Sequence, residues 1–366
     1  MFERGSPAAG DHKRRRNEAR RSREDGSRNV FDSALLQQIS LWRRKAIIWT
    51  PHRSFVAAGK QGNKLQSSLS AWNSTRSFSA TVNTFAKNFP ERVSGTRREG
   101  MVDKMLHRTS FSLKSDLGVT VADGSDDAFV LVVLNYNVPK FVPVLWNQAR
   151  LRICADGGAN RIYDEIPALL PEEDADSVRE RYKPDVIKGD LDSIRPAVRD
   201  FYLSLGTVVI DESEDQDTTD FEKCIAYIKD VDSNTAPRKV VVVGALGGRF
   251  DHVLAHINVL YKYPRLRITL LSDDSLLYLL PQGFSHEIRI NCAVEGPHCG
   301  LIPFGTSSES TTTTGLRWNL NESGMAFGSL ISTSNLLDDD VVTVVSDSPL
   351  IWTIAIRQSG EDICPT

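Results

Sequence analysis

Short apolar runs alternate with amphipathic stretches between residues 128 and 271. Six runs read as buried strands, and the stretches between them show helical spacing. The predicted strands are residues 129–134, 151–155, 186–187, 208–210, 240–243 and 268–271. The predicted helices are residues 194–205, a helix capped by Thr218 or Thr219 that runs to Ile228, and residues 252–261. Strands that alternate with helices predict a parallel-sheet α/β domain.

The pattern changes after residue 272 to short strands separated by Gly, Ser, Thr and Asn. The predicted strands here are residues 276–280, 285–290, 300–303, 341–345 and 351–356. Such a series is typical of an antiparallel all-β sandwich. We expect the four threonines at 311–314 to form a loop. The predicted organisation is therefore a disordered basic extension over 1–120, an α/β domain over 121–272 and a β-sandwich domain over 273–366.

Charge separates the first hundred residues from the rest of the chain. Residues 1–100 carry 20 Lys and Arg against 8 Asp and Glu, whereas residues 101–366 carry 24 against 39. The basic, Ser-rich first segment predicts disorder. It resembles a transit peptide in composition, and the alternatives are a solvated tail or an upstream extension of the gene model. The basic run from Lys13 to Arg16 is either a polyanion-binding patch or simply solvated.

The acidic main body has consequences for partners and location. A negative surface argues against nucleic-acid binding, because phosphate backbones need basic surfaces. No stretch of about 18 apolar residues is present, so we expect no membrane span. We expect a cytoplasmic protein, with organellar targeting by residues 1–100 as the alternative.

Four polar segments follow predicted strands, at the edge where open α/β sheets bind ligands. They are Cys-Ala-Asp-Gly-Gly-Ala-Asn-Arg at 154–161, Lys-Gly-Asp-Leu-Asp-Ser at 188–193, Asp-Gln-Asp-Thr-Thr-Asp at 215–220 and Gly-Ala-Leu-Gly-Gly-Arg-Phe-Asp-His at 244–252. Glycines allow close approach to a phosphate, and clustered carboxylates suit a divalent cation. Taken singly, each has a structural alternative: a Gly-Gly turn, helix-capping aspartates, or an acidic first turn.

Several other chemistries have no motif in this sequence. It contains no Walker A segment and no G-x-S-x-G nucleophile motif. None of the five cysteines forms a C-x-x-C pair, so a zinc site of that kind is not expected. The four segments together therefore predict a carboxylate-rich, phosphate-binding site.

The order and content of these segments resemble the motif set of the thiamine diphosphokinases. Two further segments resemble the thiamine-binding β domain of that family: Thr-Thr-Gly-Leu-Arg-Trp-Asn-Leu at 313–320 and Ser-Thr-Ser-Asn at 332–335. The resemblance runs from about residue 128 to residue 357. It implies an α/β domain that binds Mg²⁺ and ATP, with ATP as co-substrate, and a β-sandwich domain that binds thiamine in a homodimer.

The resemblance also implies roles for individual residues. The implied catalytic residues are Asp190, Asp192, Asp220, Asp251 and Arg249, of which Asp190, Asp192 and Asp220 are the implied metal ligands. The implied ATP-binding residues are Asp156, Gly157, Gly158, Asn160, Arg161, Lys188, Asp217, Gly247 and Gly248. The implied thiamine-binding residues are Gln216, Trp318, Ser332 and Ser334. Trp318 could stack on the cationic aromatic substrate, and its alternative is a core residue of the β domain.

The expected reaction transfers diphosphate from ATP to the thiamine hydroxyl, giving thiamine diphosphate and AMP. Two alternatives stay open: a non-catalytic thiamine or nucleotide sensor that kept the pocket, and a diphosphokinase for another alcohol such as a pterin. Asp220 and Asp251 are both candidates for the group that orients the hydroxyl proton.

Overall fold

The computed structural model describes residues 103–109, 111–113, 128–231 and 239–357. Most of the predicted basic extension lies outside these residues, as do the transit-peptide and basic-patch interpretations. The prediction of disorder up to residue 120 is wrong at residues 104–108, which form a strand paired with residues 285–289. In the described ranges, none of the helices is long and apolar enough to cross a bilayer.

The first part of the described chain alternates strands and helices, as the sequence predicts. Its strands are β1 (Lys104–Arg108), β2 (Phe129–Val133), β3 (Leu151–Ala155), β4 (Val186–Gly189), β5 (Val208–Asp211), β6 (Lys239–Val243) and β7 (Arg267–Leu271). Its helices are α1 (Val142–Gln148), α2 (Gly158–Leu169), α3 (Ala175–Arg181), α4 (Pro196–Ser204), α5 (Asp220–Val231) and α6 (Phe250–Lys262). Pro196 occupies the first turn of α4, where its missing N–H costs nothing.

The second part consists of strands only. They are β8 (Ser275–Leu280), β9 (Ser285–Arg289), β10 (Glu295–Ile302), β11 (Ser308–Thr314), β12 (Ser323–Met325), β13 (Ser332–Leu336), β14 (Val341–Ser346) and β15 (Leu350–Ile356). The loop expected at residues 311–314 is wrong, because these threonines belong to β11. Thr311 and Thr313 are buried, and their hydroxyls form hydrogen bonds with Ser308 and Asn319.

A ten-stranded sheet runs through both parts of the chain, in the order β13-β10-β15-β8-β7-β6-β2-β3-β4-β5. The six strands from β7 to β5 are parallel to one another. From β7 to the other edge of the sheet, each successive pair is antiparallel: β7 with β8, β8 with β15, β15 with β10 and β10 with β13. The second sheet has the order β1-β9-β14-β11-β12, with β1 parallel to β9. Its apolar residues share one core with β10 and β15, which makes the C-terminal part a sandwich.

Helices cover both faces of the parallel strands. One face packs against α1, α2 and α4, and the other against α5 and α6. The central strands β2, β3, β4 and β6 are buried on both sides, which explains their largely apolar sequences, whereas the edge strand β5 is only half-buried. Because β2, β3, β4 and β6 run parallel, their carboxyl ends meet at one edge of the sheet.

Candidate active site

A cleft of about 570 Å³ opens at the carboxyl edge of the parallel strands. Strand β2 lies between β3 and β6, so the strand order reverses at this point. Open α/β sheets bind ligands at such a switch point. All four polar segments contribute to the walls, which are formed by Leu134, Asn135, Tyr136, Ala155, Asp156, Asp190, Ser193, Thr218, Thr219, Asp220, Phe221, Gly244, Gly247, Gly248, Arg249, His252, Ala255 and His256.

Three carboxylates converge in this cleft. One oxygen each from Asp156, Asp190 and Asp220 lies within 4.8 Å of the other two. The three residues come from the ends of β3 and β4 and from the start of α5. Gly189 permits their approach, because a Cβ atom there would lie 2.8 Å from Asp156 Cβ and 2.8 Å from Asp220 Oδ1. Oxygen ligands at this spacing suit a hard divalent cation.

Asp156 is fixed by the backbone of the segment after β4. Its Oδ2 accepts the N–H of Ser193 at 2.9 Å, and its Oδ1 accepts the N–H of Ile194 at 3.0 Å. Its own backbone is left-handed, with φ of 42°, a conformation that Asp tolerates better than most residues. Burial raises the pKa of Asp156 above its ordinary value, and these hydrogen bonds oppose that rise.

Asp220 is held from two sides. Its Oδ1 accepts the backbone N–H of Asp190 at 3.1 Å and lies 3.4 Å from the ammonium nitrogen of Lys223. Burial raises the pKa of Asp220, and the neighbouring Asp190 charge raises it further. A bound cation would remove the repulsion between the two carboxylates. Helix α5 begins here, and Thr219 caps it by accepting the N–H of Glu222 at 3.3 Å, as the sequence predicts.

Asp192 lies apart from the three converging carboxylates. Its side chain is exposed and accepts a hydrogen bond from Ser193 Oγ at 2.8 Å. The structure thus groups Asp190 and Asp220 with Asp156, which the family resemblance places among the ATP-binding residues. Leu191, between the two aspartates, has a φ of 61°. The left-handed turn explains why the two carboxylates do not share one side, as an extended segment would require.

The Gly-Gly segment at the start of α2 packs tightly against the end of β2. A Cβ atom on Gly158 would lie 2.2 Å from the Val133 carbonyl oxygen, and one on Gly157 would lie 2.3 Å from the Asn135 side chain. Backbone packing therefore requires glycine at 158, whereas a side chain at 157 would displace the Asn135 side chain. Among the described residues, neither Gly157 nor Gly158 forms part of the cleft wall.

Asn160 and Arg161 connect α2 to its neighbours. Asn160 donates to the Ser193 carbonyl at 2.9 Å and accepts the N–H of Arg195 at 3.1 Å. Arg161 donates to Asn135 Oδ1 at 3.0 Å. These bonds join the start of α2 to the segment after β2 and to the segment after β4.

Lys188, Gln216 and Asp217 also lie outside the walls of the described cleft. The Lys188 ammonium group is buried, pairs with Glu212 and lies 5.7 Å from the Tyr227 ring centroid. Gln216 is exposed and donates to the Ser213 carbonyl at 2.8 Å, and the N–H of Asp217 donates to Asp215 at 3.0 Å.

The segment after β6 lines the cleft opposite the carboxylates. Gly247 and Gly248 have φ of 104° and 69°, and Cβ atoms on them would lie 2.6 Å and 2.9 Å from the Tyr136 ring. Arg249 lines the cleft and forms a bidentate ion pair with Asp251. This pair is exposed, and its hydrogen bonds lower the pKa of Asp251. Arg249 therefore places a positive charge at the cleft wall.

Trp318 lies on the surface of the sandwich. Its side chain is 58% exposed, so it is not a core residue. Asn335 holds its backbone by donating to the Trp318 carbonyl at 2.9 Å and accepting its N–H at 3.2 Å. The buried Ser332 hydroxyl accepts from Asn335 at 3.2 Å, and Ser334 has a φ of 56°. The described cleft walls include none of these residues.

Tyr136 and Lys223 belong to the site but were not predicted from the sequence. Tyr136 follows β2 in a segment without a recognisable motif, yet its ring covers the glycine pair. Lys223 reads as an ordinary helix residue, yet it is buried beside Asp220. A helical-wheel comparison could have found Lys223, since it shares its helix face with Asp220.

Comparison with known proteins identifies relatives of both parts of the chain. The family models "Thiamin pyrophosphokinase, catalytic domain" and "Thiamin pyrophosphokinase, vitamin B1 binding domain" match residues 142–271 and 285–351. Thiamine pyrophosphokinase 1 of Arabidopsis thaliana is 56% identical over 264 residues, which cover 72% of this chain and 97% of that protein. Thiamine pyrophosphokinase 1 of Oryza sativa subsp. japonica is 57% identical over 238 residues, covering 64% and 90%. The solved thiamin pyrophosphokinase from Candida albicans has a TM-score of 0.55 and 25% identity, covering 63% of this chain and 89% of that one.

Proposed function

The chain belongs to the thiamin pyrophosphokinase family, and we propose that it transfers diphosphate from ATP to the hydroxyl of thiamine. The products are thiamine diphosphate and AMP. The observation that carries this proposal is the convergence of Asp156, Asp190 and Asp220 in the cleft at the strand-order reversal.

The carboxylate group fits a magnesium ion. Its donor atoms are all oxygens from three different segments. Burial raises the pKa of Asp156 and of Asp220, and the Asp190 charge raises the pKa of Asp220 further. Asp156, Asp190 and Asp220 would hold the ion. Asp192, which the family resemblance implies as a third ligand beside Asp190 and Asp220, lies outside this group. A magnesium ion bound there supplies charge neutralisation for the phosphate oxygens of ATP.

The protein's own groups supply binding and orientation. Gly247 and Gly248 lie at the cleft wall beneath the Tyr136 ring, and we assign them to the ATP-binding region. Arg249 stabilises negative charge that develops during transfer. The thiamine hydroxyl attacks the β-phosphorus, the bond to the α-phosphate oxygen breaks, and AMP leaves. Asp220 or Asp251 orients the hydroxyl proton, since a loose phosphoryl-type transition state needs no strong base.

The remaining assignments are proposals of the same kind. Gly157, Gly158, Asn160, Arg161, Lys188 and Asp217 belong to the ATP-binding region, and Gln216, Trp318, Ser332 and Ser334 to the thiamine site. The exposed Trp318 indole is available to stack on a cationic aromatic ring. Because Trp318 does not line the cleft, we propose that a second copy of the chain brings its sandwich to the cleft in a homodimer. Cytoplasmic location stays a prediction.

The test is formation of thiamine diphosphate by purified protein with ATP and Mg²⁺. We expect Asp220→Asn to lower the rate at least about 100-fold, because this carboxylate would help to hold the cation that positions the phosphates. Asp230→Asn, an exposed residue on the same helix, is the matched control and should leave the rate unchanged. Tight thiamine binding without product would instead support a sensor, and a preference for a pterin alcohol would support the other alternative.

A further inference from the structure

Lys223 is a buried cation directly behind the carboxylates. It lies one helical turn after Asp220 on α5, and its side chain is 2% exposed. Its ammonium nitrogen lies 3.4 Å from Asp220 Oδ1. Among the described residues, the cleft wall includes Asp220 but not Lys223, which lies behind it.

Burying an ammonium group is costly unless a negative charge compensates it. Asp220 is the residue that pairs with Lys223 in the described structure, and the Lys223 charge also helps to lower the pKa of Asp215. Lys188, the other buried lysine of this region, forms its ion pair with Glu212. Lys223 is therefore the cation that faces the converging aspartates from the protein interior.

Three carboxylates within 4.8 Å repel one another when no metal is bound. At Asp220 this repulsion is opposed by two donors, since the Asp190 N–H and the Lys223 ammonium group share its Oδ1. A fixed positive charge at this oxygen lowers the repulsion and keeps Asp220 oriented toward the cleft.

We propose that Lys223 is a positioning residue that acts as the resident counter-cation of Asp156, Asp190 and Asp220. It holds Asp220 in place and offsets the negative charge while the metal site is empty between turnovers. The proposal rests on the proposed function, because it assumes that these carboxylates bind Mg²⁺ during the reaction.

A direct test compares Lys223→Met with Lys223→Arg and with the native protein. Lys262→Met is the matched control, since Lys262 lies on the neighbouring helix in a more exposed ion pair with Glu222. The midpoint of thermal unfolding is measured in EDTA and in rising Mg²⁺ without nucleotide. We expect Lys223→Met to unfold earlier in EDTA and to gain about twice the Mg²⁺-dependent rise of the native protein, because a more negative site binds the ion more tightly.

The controls separate this role from simple packing. Lys223→Arg keeps the charge and should restore the native response to Mg²⁺, and Lys262→Met should show that response unchanged. If Lys223→Met is destabilised equally with and without Mg²⁺, or is as stable as the native protein in EDTA, the proposal is wrong.

A double variant covers the case in which Lys223→Met fails to fold. Asp220→Asn combined with Lys223→Met removes both charges of the pair, so it should fold better than Lys223→Met alone and lose most of the Mg²⁺ response. A double variant no more stable than Lys223→Met would overturn the proposal. Product formation by the native protein tests the proposed function separately, so the two failures can be distinguished.

Discussion

The Asp156 carboxylate accepts the backbone N–H of Ser193 at 2.9 Å, across the gap between the ends of β3 and β4. This bond, with the neighbouring bond from Ile194, fixes the loop that carries Asp190 relative to the strand that carries Asp156. The proposed metal site and the loop geometry therefore depend on the same carboxylate.

Replacing Asp156 with Asn should affect both stability and activity. Asn adopts the left-handed backbone as readily as Asp, so the change isolates the side chain. One amide N–H₂ would face a backbone N–H, which should lower the free energy of unfolding by about 1–3 kcal/mol. Urea denaturation measures this loss. Asp164→Asn, at an exposed ion pair with Arg195, should cost less than about 1 kcal/mol. Equal costs for the two variants would contradict the account.

Gly189→Ala should separate the carboxylates without unfolding the chain. The added methyl group would meet Asp156 and Asp220 at 2.8 Å, so one of them must move. We expect kcat/KM to fall at least about 100-fold, since a displacement of about 1 Å is enough to cause such a loss. Gly324→Ala is the control, because its nearest neighbour would be 3.6 Å away. Native-like activity in Gly189→Ala would show that the spacing does not matter.

Glu295→Gln should flatten the pH dependence of stability. Burial raises the pKa of Glu295, although hydrogen bonds from Thr109 and Asn291 oppose the rise. The folded protein therefore keeps this proton to a higher pH than the unfolded chain does. Its contribution to stability is present at low pH and is lost as pH rises from about 4.5 through the folded pKa.

Glutamine can keep both contacts without ionising, since its carbonyl can accept from Asn291 and its amide can donate to the Thr109 hydroxyl. Urea midpoints between pH 4 and pH 8 should fall less steeply in Glu295→Gln than in the native protein. An identical slope in both proteins would show that Glu295 does not titrate in this range.

Trp318→Ala should weaken thiamine binding while leaving the fold intact. An exposed indole contributes little to stability, so the free energy of unfolding should change by less than about 0.5 kcal/mol. Loss of stacking on a cationic ring should raise KM for thiamine about tenfold, and Trp318→Phe should recover part of it. Phe327→Ala removes another exposed aromatic of the sandwich and serves as the control. A tenfold effect in Phe327→Ala alone would place the thiamine site elsewhere.

The parallel strands were predictable because their burial on both faces leaves uninterrupted apolar runs, as in 240–243. The β11 strand was not, because its inward positions are threonines whose hydroxyls form hydrogen bonds inside the sandwich. The continuation of the main sheet into β8 and β15 also escaped prediction, since strand order depends on contacts between distant segments.

The candidate site shows the same division. The motifs place Asp190 at the end of a predicted strand and Asp220 at the start of a predicted helix. These positions are enough to predict a carboxylate-rich site. Asp156 lies beside them because β3 is the neighbour of β4 in the sheet. Asp192 lies apart from them because the chain turns at Leu191. Neither feature follows from spacing along the chain.

The central claim is diphosphate transfer from ATP to thiamine, and the identity of the phosphorus products tests it most directly. Purified protein incubated with ATP, Mg²⁺ and thiamine should give AMP and thiamine diphosphate in equal amounts by ³¹P NMR. ADP together with thiamine monophosphate would contradict the account, because that outcome requires attack at the γ-phosphorus.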